Sequence, residues 1–200
     1  MNKGLLIACA LIGASAASAQ LTSVGPFSGT AFESWETQPV FQFLPSYSAF
    51  GGSASVNQIG PGQGVHITTG WGFFNSIFPY DSAHFLGGAG VNYAFDFNTP
   101  AMAFGGYWGT NADAAGATAK FFDANNNQID ATQAIGAPIG QWQWNGWTST
   151  VGIKRVEIYA NNGWGGFIMS DALQYSAVPE PATLAVLGLG IIAVVRRRRK

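Results

Sequence analysis

Few side chains in this 200-residue sequence suit acid–base or nucleophilic chemistry. Histidine occurs twice, as His66 and His84. The Asp81-x-x-His84 spacing brings two metal-ligand types close together, but no third partner stands at a matching distance along the chain. The one cysteine, Cys9, lies near the N-terminus. Neither a Gly-x-Ser-x-Gly elbow nor a His-Glu-x-x-His pair occurs, and there is no phosphate-cradling loop. Glu33 and Glu36 are both carboxylates, yet a three-residue step along a strand sends them to opposite faces. Asp123-Ala124-Asn125-Asn126-Asn127-Gln128 has oxygen ligands at calcium-loop positions one, three and five. It lacks the glycine required at position six, where Gln128 stands, and the glutamate required at twelve, where Ala134 stands. A hairpin turn accounts for it better, since asparagine tolerates positive φ. A secreted hydrolase is therefore the weakest of the readings kept open.

Tryptophan carries more information. Trp142, Trp144, Trp147 and Trp164 crowd the late part of the chain, with Trp71 and Trp108 earlier. Trp142 and Trp144 are two apart and so share one face of a strand. Exposed indoles can stack on the C–H faces of sugars, with Gln141, Gln143 and Asn145 beside them to orient a ligand. The same residues would equally serve as a layer of large core aromatics. Both readings stay open at this point.

The elements that hold these residues read as β-strands. Between residues 20 and 177 no stretch keeps a 3.6-residue apolar period, whereas two-residue alternation is frequent. Val91–Phe97 alternates with large residues at odd positions, and Ile168–Tyr175 alternates as well. Further strands are expected at Ala31–Trp35, Gly64–Thr68, Ala101–Trp108, Ala117–Phe122, Gln128–Thr132, Gln141–Trp147 and Ile153–Tyr159. Gly51-Gly52, Gly60-Pro61-Gly62, Gly87-Gly88, Asn125–Asn127 and Asn161-Asn162-Gly163 punctuate them, and Tyr47–Gly64 reads as loop-rich. The expectation is an all-β, antiparallel β-sandwich over residues 20–177. An outer-membrane barrel fits worse, because a short apolar segment with an arginine cluster follows the strands, and the candidate strands are mostly shorter than the ~9–11 residues needed to span a bilayer.

The two ends have separate roles. Lys3, the apolar run Leu5–Ala14 and Ala17-Ser18-Ala19 form a signal peptide over residues 1–19, with export through the Sec machinery and a mature start at Gln20. Leu6-Ile7-Ala8-Cys9 has lipobox character, but its cysteine falls inside the apolar run. Cleavage at Gln20 leaves no cysteine, hence no disulfide and no thiolate metal site. At the other end, Pro179 and Pro181 keep the chain extended. Ala182–Val195 can form a short membrane helix of about 21 Å. Arg196–Lys200 would hold that end at the cytoplasmic side of the inner membrane. Without its ends, the chain retains three basic residues, Lys120, Lys154 and Arg155, against nine acidic ones, a net charge of −6. Such a surface repels nucleic acid and anionic lipid, but not a neutral polysaccharide.

The order Val178-Pro179-Glu180-Pro181, apolar segment with Gly188 and Gly190, and terminal basic cluster resembles the PEP-CTERM sorting signal of Gram-negative bacteria. The resemblance implies an exosortase as partner, which cleaves near the motif and passes the protein to the surface or the extracellular matrix. The stretch from Phe95-Asp96-Phe97-Asn98-Thr99-Pro100 to Ser170-Asp171-Ala172-Leu173 resembles the jelly-roll domains of such proteins, which are similar to carbohydrate-binding modules. That resemblance implies a structural Ca²⁺ shared by an acid on the first strand and one on the last, here Glu33 and Asp171. It also implies a role alongside exopolysaccharide or biofilm, or a specific carbohydrate-binding module centred on the tryptophans.

Overall fold

The computed structural model describes residues 20–72, 75–161 and 166–177. The signal segment, Trp164 and the tail from Val178 onward, with its sorting motif and expected helix, lie outside them. Among the described residues no helix is long and apolar enough to cross a membrane.

The described chain is all-β and antiparallel. Its strands are β1 (Leu21–Ser23), β2 (Ala31–Glu33), β3 (Phe43–Leu44), β4 (Ser46–Ala49), β5 (Ala54–Ile59), β6 (Gly64–Thr68), β7 (Phe85–Ala89), β8 (Asn92–Gly109), β9 (Ala117–Phe122), β10 (Gln133–Ile135), β11 (Gln143–Ala160) and β12 (Met169–Ala177). Hydrogen bonding joins them into one curled sheet with the order β10-β9-β11-β8-β12-β7-β6-β3; β1 adds to β11, β2 to β12, and the β4–β5 hairpin to β8.

The curl originates in β8 and β11, which pair with each other along most of their length. The first half of β8 also pairs with β5, and the second half with β12. Pro100 stands between the halves, where a residue without an N–H costs the ladder least. The register of β11 slips between Thr148 and Arg155, opposite the same point. Both strands bend there and continue, so the sheet folds back over its own inner face. That face carries Phe95, Phe97, Phe104 and Trp108 from β8, Trp147, Val156 and Ile158 from β11, and Tyr175 from β12. The rings interlock: Phe104 lies 5.1 Å from Phe95 and 5.4 Å from Phe97, and Tyr175 stacks on Phe97 at 5.0 Å. Aromatic pairs at these separations add to the stabilisation from burial alone.

Four local expectations need correction. Val91–Phe97 and Ala101–Trp108 belong to one strand, β8, and Gln141–Trp147 and Ile153–Tyr159 to another, β11. The breaks in their patterns are bends shared by paired strands. The loop expected over Tyr47–Gly64 contains the β4–β5 hairpin, turned at Phe50–Gly52. Gly87-Gly88 sits inside β7; a Cβ at Gly87 would come within 2.8 Å of the Trp71 ring, so close packing explains the glycine. The strand expected at Gln128–Thr132 is largely a turn through Asp130, φ 59°, before β10.

Candidate functional site

The late tryptophans divide by strand parity. Trp147 points inward, is 2 % exposed and packs on Phe121 at 5.1 Å. It is a core residue, so the expectation that it contacts sugar is corrected. Trp144 points the other way and is half-buried. Its indole N–H donates to the Val24 carbonyl at 3.0 Å. The ring lies over Gly105 and Gly146; a Cβ on either would sit 2.9 Å from its Cζ2 atom. Two glycines facing each other across β8 and β11 make a flat bed for the indole.

Trp144 belongs to a row of rings that crosses the outer surface. On β8 its register partner is Tyr107, whose ring meets it edge-on at 5.4 Å. Phe27 meets Trp144 from the other side at 5.6 Å. Tyr80, 45 % exposed, stacks on Tyr107 at 3.6 Å. The loop that supplies Tyr80 also holds Trp142, whose N–H donates to the Phe78 carbonyl at 2.8 Å. Trp142 otherwise rests edge-on against Phe85 at 5.5 Å, beside the small cluster of Ile77, Phe85 and Met169. The sequence pointed to Trp144; Tyr80, Tyr107 and Phe27 were not legible, because pairing across strands and a returning loop bring them in. A hydrogen bond with Tyr107 is the chief cause that pushes the Tyr80 hydroxyl up to about 12, so it stays protonated.

Asp171 lies beneath this row, opposite Tyr107 on β12. It is fully buried. Its Oδ2 accepts from the Tyr80 amide at 2.8 Å and the Asp81 amide at 3.4 Å, and its Oδ1 accepts from the Ala172 amide at 2.7 Å. Asp171 therefore fastens the Tyr80 loop to the sheet. Burial pushes its carboxyl up to about 6 against the pull of those amides.

Glu33 does a similar job on the neighbouring strand β2, where it stands opposite Leu173, two residues along β12 from Asp171. Oε1 accepts from the Trp35 amide at 2.8 Å and Oε2 from the Phe50 amide at 2.6 Å. Both donors belong to residues with positive φ, 66° at Trp35 and 53° at Phe50. Burial raises the Glu33 carboxyl above its ordinary value, partly offset by the two amides. For the Ca²⁺ implied by resemblance, the pairing of β2 with β12 brings the two acids onto adjacent strands, but both already accept from backbone amides. Glu33 is compensated by the amides of Trp35 and Phe50 and Asp171 by those of Tyr80, Asp81 and Ala172, and no group of three or more His, Cys, Asp or Glu able to hold a metal occurs among the described residues.

The remaining titratable candidates stay apart. Glu36 accepts from the amides of Ala83 and His84, both at 2.9 Å, with the His84 ring 3.5 Å away. Asp123 caps its own turn, accepting from the amides of Asn125 and Asn127 at 2.8 Å, with Asn126 at φ 62°. His66 is enclosed by rings: Phe43 at 4.3 Å, Trp71 at 5.2 Å and Phe41 at 6.3 Å.

Residues 177–200 match the family model for the PEP-CTERM protein-sorting motif. This stretch is thus a PEP-CTERM sorting motif, as the residues Val178–Pro181 and the tail after them suggested. No curated protein matches the chain. Among solved structures, it is similar to the CBM22-1 xylan-binding domain of Paenibacillus barcinonensis Xyn10C, at 13 % identity and a TM-score of 0.44, over 77 % of this chain and 99 % of that one. It is also similar to the CBM22-1–CBM22-2 tandem domain of the same protein, at 13 % identity and a TM-score of 0.46, over 78 % of this chain and 49 % of that one.

Proposed function

We propose that this is a non-enzymatic exported protein of the cell surface or extracellular matrix, sorted by an exosortase and associated with exopolysaccharide. The carrying observation is the sorting motif at residues 177–200. In this reading the signal peptide delivers the chain through Sec, the short apolar segment holds it in the inner membrane, and the exosortase then passes the β-domain outward as a jelly-roll-like module. The buried acids support a structural rather than catalytic use, since each is engaged in fastening backbone amides. Fractionation of cells with and without the exosortase tests the route. Retention in the inner membrane without the enzyme is expected; unchanged surface delivery would overturn it.

A second reading, a specific carbohydrate-binding module, is favoured by the outward row Tyr80–Tyr107–Trp144–Phe27. Its rings give successive apolar contacts of the kind a flat sugar face needs, and two tyrosine hydroxyls supply donors and acceptors. The domain's net charge of −6 favours neutral chains over uronate-rich ones. Affinity electrophoresis through gels containing neutral or anionic polysaccharide tests this. Retardation by at least one neutral polymer, lost in Trp144→Ala, is expected; equal mobility in every gel would sink it.

A further inference from the structure

Apart from the outer row, the chain has a pocket of about 430 Å³, within the size range of small-ligand sites. Phe43, His66, Trp71 and Phe167 form its walls, and Gln63 stands at its edge. None of its lining residues carries a formal charge apart from the titratable His66. Among the described residues, neither ring nitrogen of His66 has a hydrogen-bond partner, and both are shielded from solvent. The imidazole is thus held as one more neutral flat wall, tilted 39° against Phe43 and edge-on to Trp71.

Unusual backbone stands in the wall at Phe167 and next to His66 at Phe41. Phe41 and Phe167 have φ of 60° and 66°, a region that bulky residues seldom enter. Both are held there by specific bonds. The Phe41 amide donates to the Ile67 carbonyl at 2.9 Å, the Phe167 amide to the Gly88 carbonyl at 3.0 Å, and the Thr110 hydroxyl to the Phe167 carbonyl at 2.6 Å. Strain kept in place by surrounding structure is a feature of ligand sites. Here it aims Phe167 at the pocket and leaves Phe41 exposed beside it.

Flat aromatic walls, an amide at the edge and the absence of fixed charge match an uncharged ring with apolar faces and polar edges. A sugar hydroxyl is both donor and acceptor, so it can serve whichever His66 nitrogen a small rotation of Phe43 uncovers. We propose that this pocket is a second carbohydrate site that takes one neutral sugar ring, so that row and pocket together let one molecule hold two glycan segments. The bridging part rests on the reading of the outer row as a polysaccharide surface; the pocket stands by itself.

The test is NMR on the isotopically labelled full chain, held in phosphocholine micelles so that no glycoside detergent competes. Methyl β-glucoside, methyl β-xyloside, methyl α-mannoside and methyl β-galactoside are titrated in turn, and a soluble neutral polysaccharide is added separately. At least one glycoside is expected to move the Trp71 indole and His66 ring signals along a saturating curve with a Kd on the order of millimolar. Phe43→Ala, folded by its spectrum, should weaken that binding about fivefold or more and leave the Trp144 response to the polymer unchanged, a loss in the range of an ordinary contact. Silence of Trp71 and His66 with all four glycosides, or wild-type binding by Phe43→Ala, overturns the pocket. A Trp144 indole that ignores every polymer while Trp71 responds overturns the outer-row reading and the bridging, and leaves the pocket standing.

Discussion

Replacing Glu33 by Gln tests how this fold holds its strained turns. The side chain is 5 % exposed, and its two oxygens receive the amides of Trp35 and Phe50 at 2.8 and 2.6 Å. Those residues sit at φ 66° and 53°, conformations that cost about 1–3 kcal/mol each unless their surroundings enforce them. Glutamine keeps one acceptor but turns an NH₂ towards the other amide, so one charge-assisted bond is lost and one buried donor is left unpaired. A bond to a charged group contributes about 1.5–3 kcal/mol net and an unpaired buried donor costs about 1–3 kcal/mol more; relief of a buried charge returns part of the sum, so the expected loss is about 2–4 kcal/mol. For a domain of this size that corresponds to a fall in Tm of about 5–15 °C. Thermal unfolding followed by near-UV circular dichroism measures it, the band arising from the core tryptophans. Excess EDTA, added to the wild type, should leave Tm within about 1 °C, because backbone amides and not a cation compensate the carboxylate. A Glu33→Gln protein that melts within about 2 °C of the wild type would refute the clamp, and a large drop in EDTA would restore calcium to the site.

Three further outcomes follow from the same geometry. Trp147→Ala should cost about 3–5 kcal/mol by emptying a core site, whereas Trp144→Ala, on the outer face, should cost under about half of that; equal losses in chemical denaturation would contradict the division by strand parity. Burial holds His66 below its ordinary value of 6.5, so the folded state binds its proton less readily than the unfolded chain. Stability should therefore fall as pH drops through 6.5, and His66→Phe should remove that slope; an NMR titration of His66 at or above 6.5 would refute the enclosure. Asp171 runs in the opposite sense: with its carboxyl raised from 3.8 to about 6, its contribution is fully present at low pH and declines as pH rises between those values. Asp171→Asn should flatten that decline in urea-unfolding stability, and an unchanged pH profile would exclude the assignment.

How far the sequence could be read is instructive residue by residue. The strand pattern was legible because inward and outward residues alternate, as in Ala117–Phe122. The continuity of β8 and β11 was hidden. Local signals such as Asn98-Thr99-Pro100 mark a bend and a break alike, and only the partner strand decides between them. Gly87-Gly88 misled for a related reason: Gly87 makes room for Trp71, a contact remote in sequence, and a Cβ at Gly88 would strike the Val91 carbonyl. Trp142 and Trp144 were visible as candidates, yet Tyr80 reaches Tyr107 by a loop tied down through the buried Asp171. The acids Glu33 and Asp171 stood out by type. Their use as acceptors for strained amides depends on φ angles, which composition and spacing do not encode. The sorting motif in the tail was legible because its signature is a linear order of residues and needs no tertiary contact.

That tail also offers the most direct test of the account. Mass spectrometry of the protein recovered from the cell surface and medium gives the C-terminal peptide without assumption about its ligand. Sorting by an exosortase predicts a terminus near Pro179, with the segment from Ala182 to Lys200 absent. An exported protein that still carries Arg196–Lys200 would contradict it.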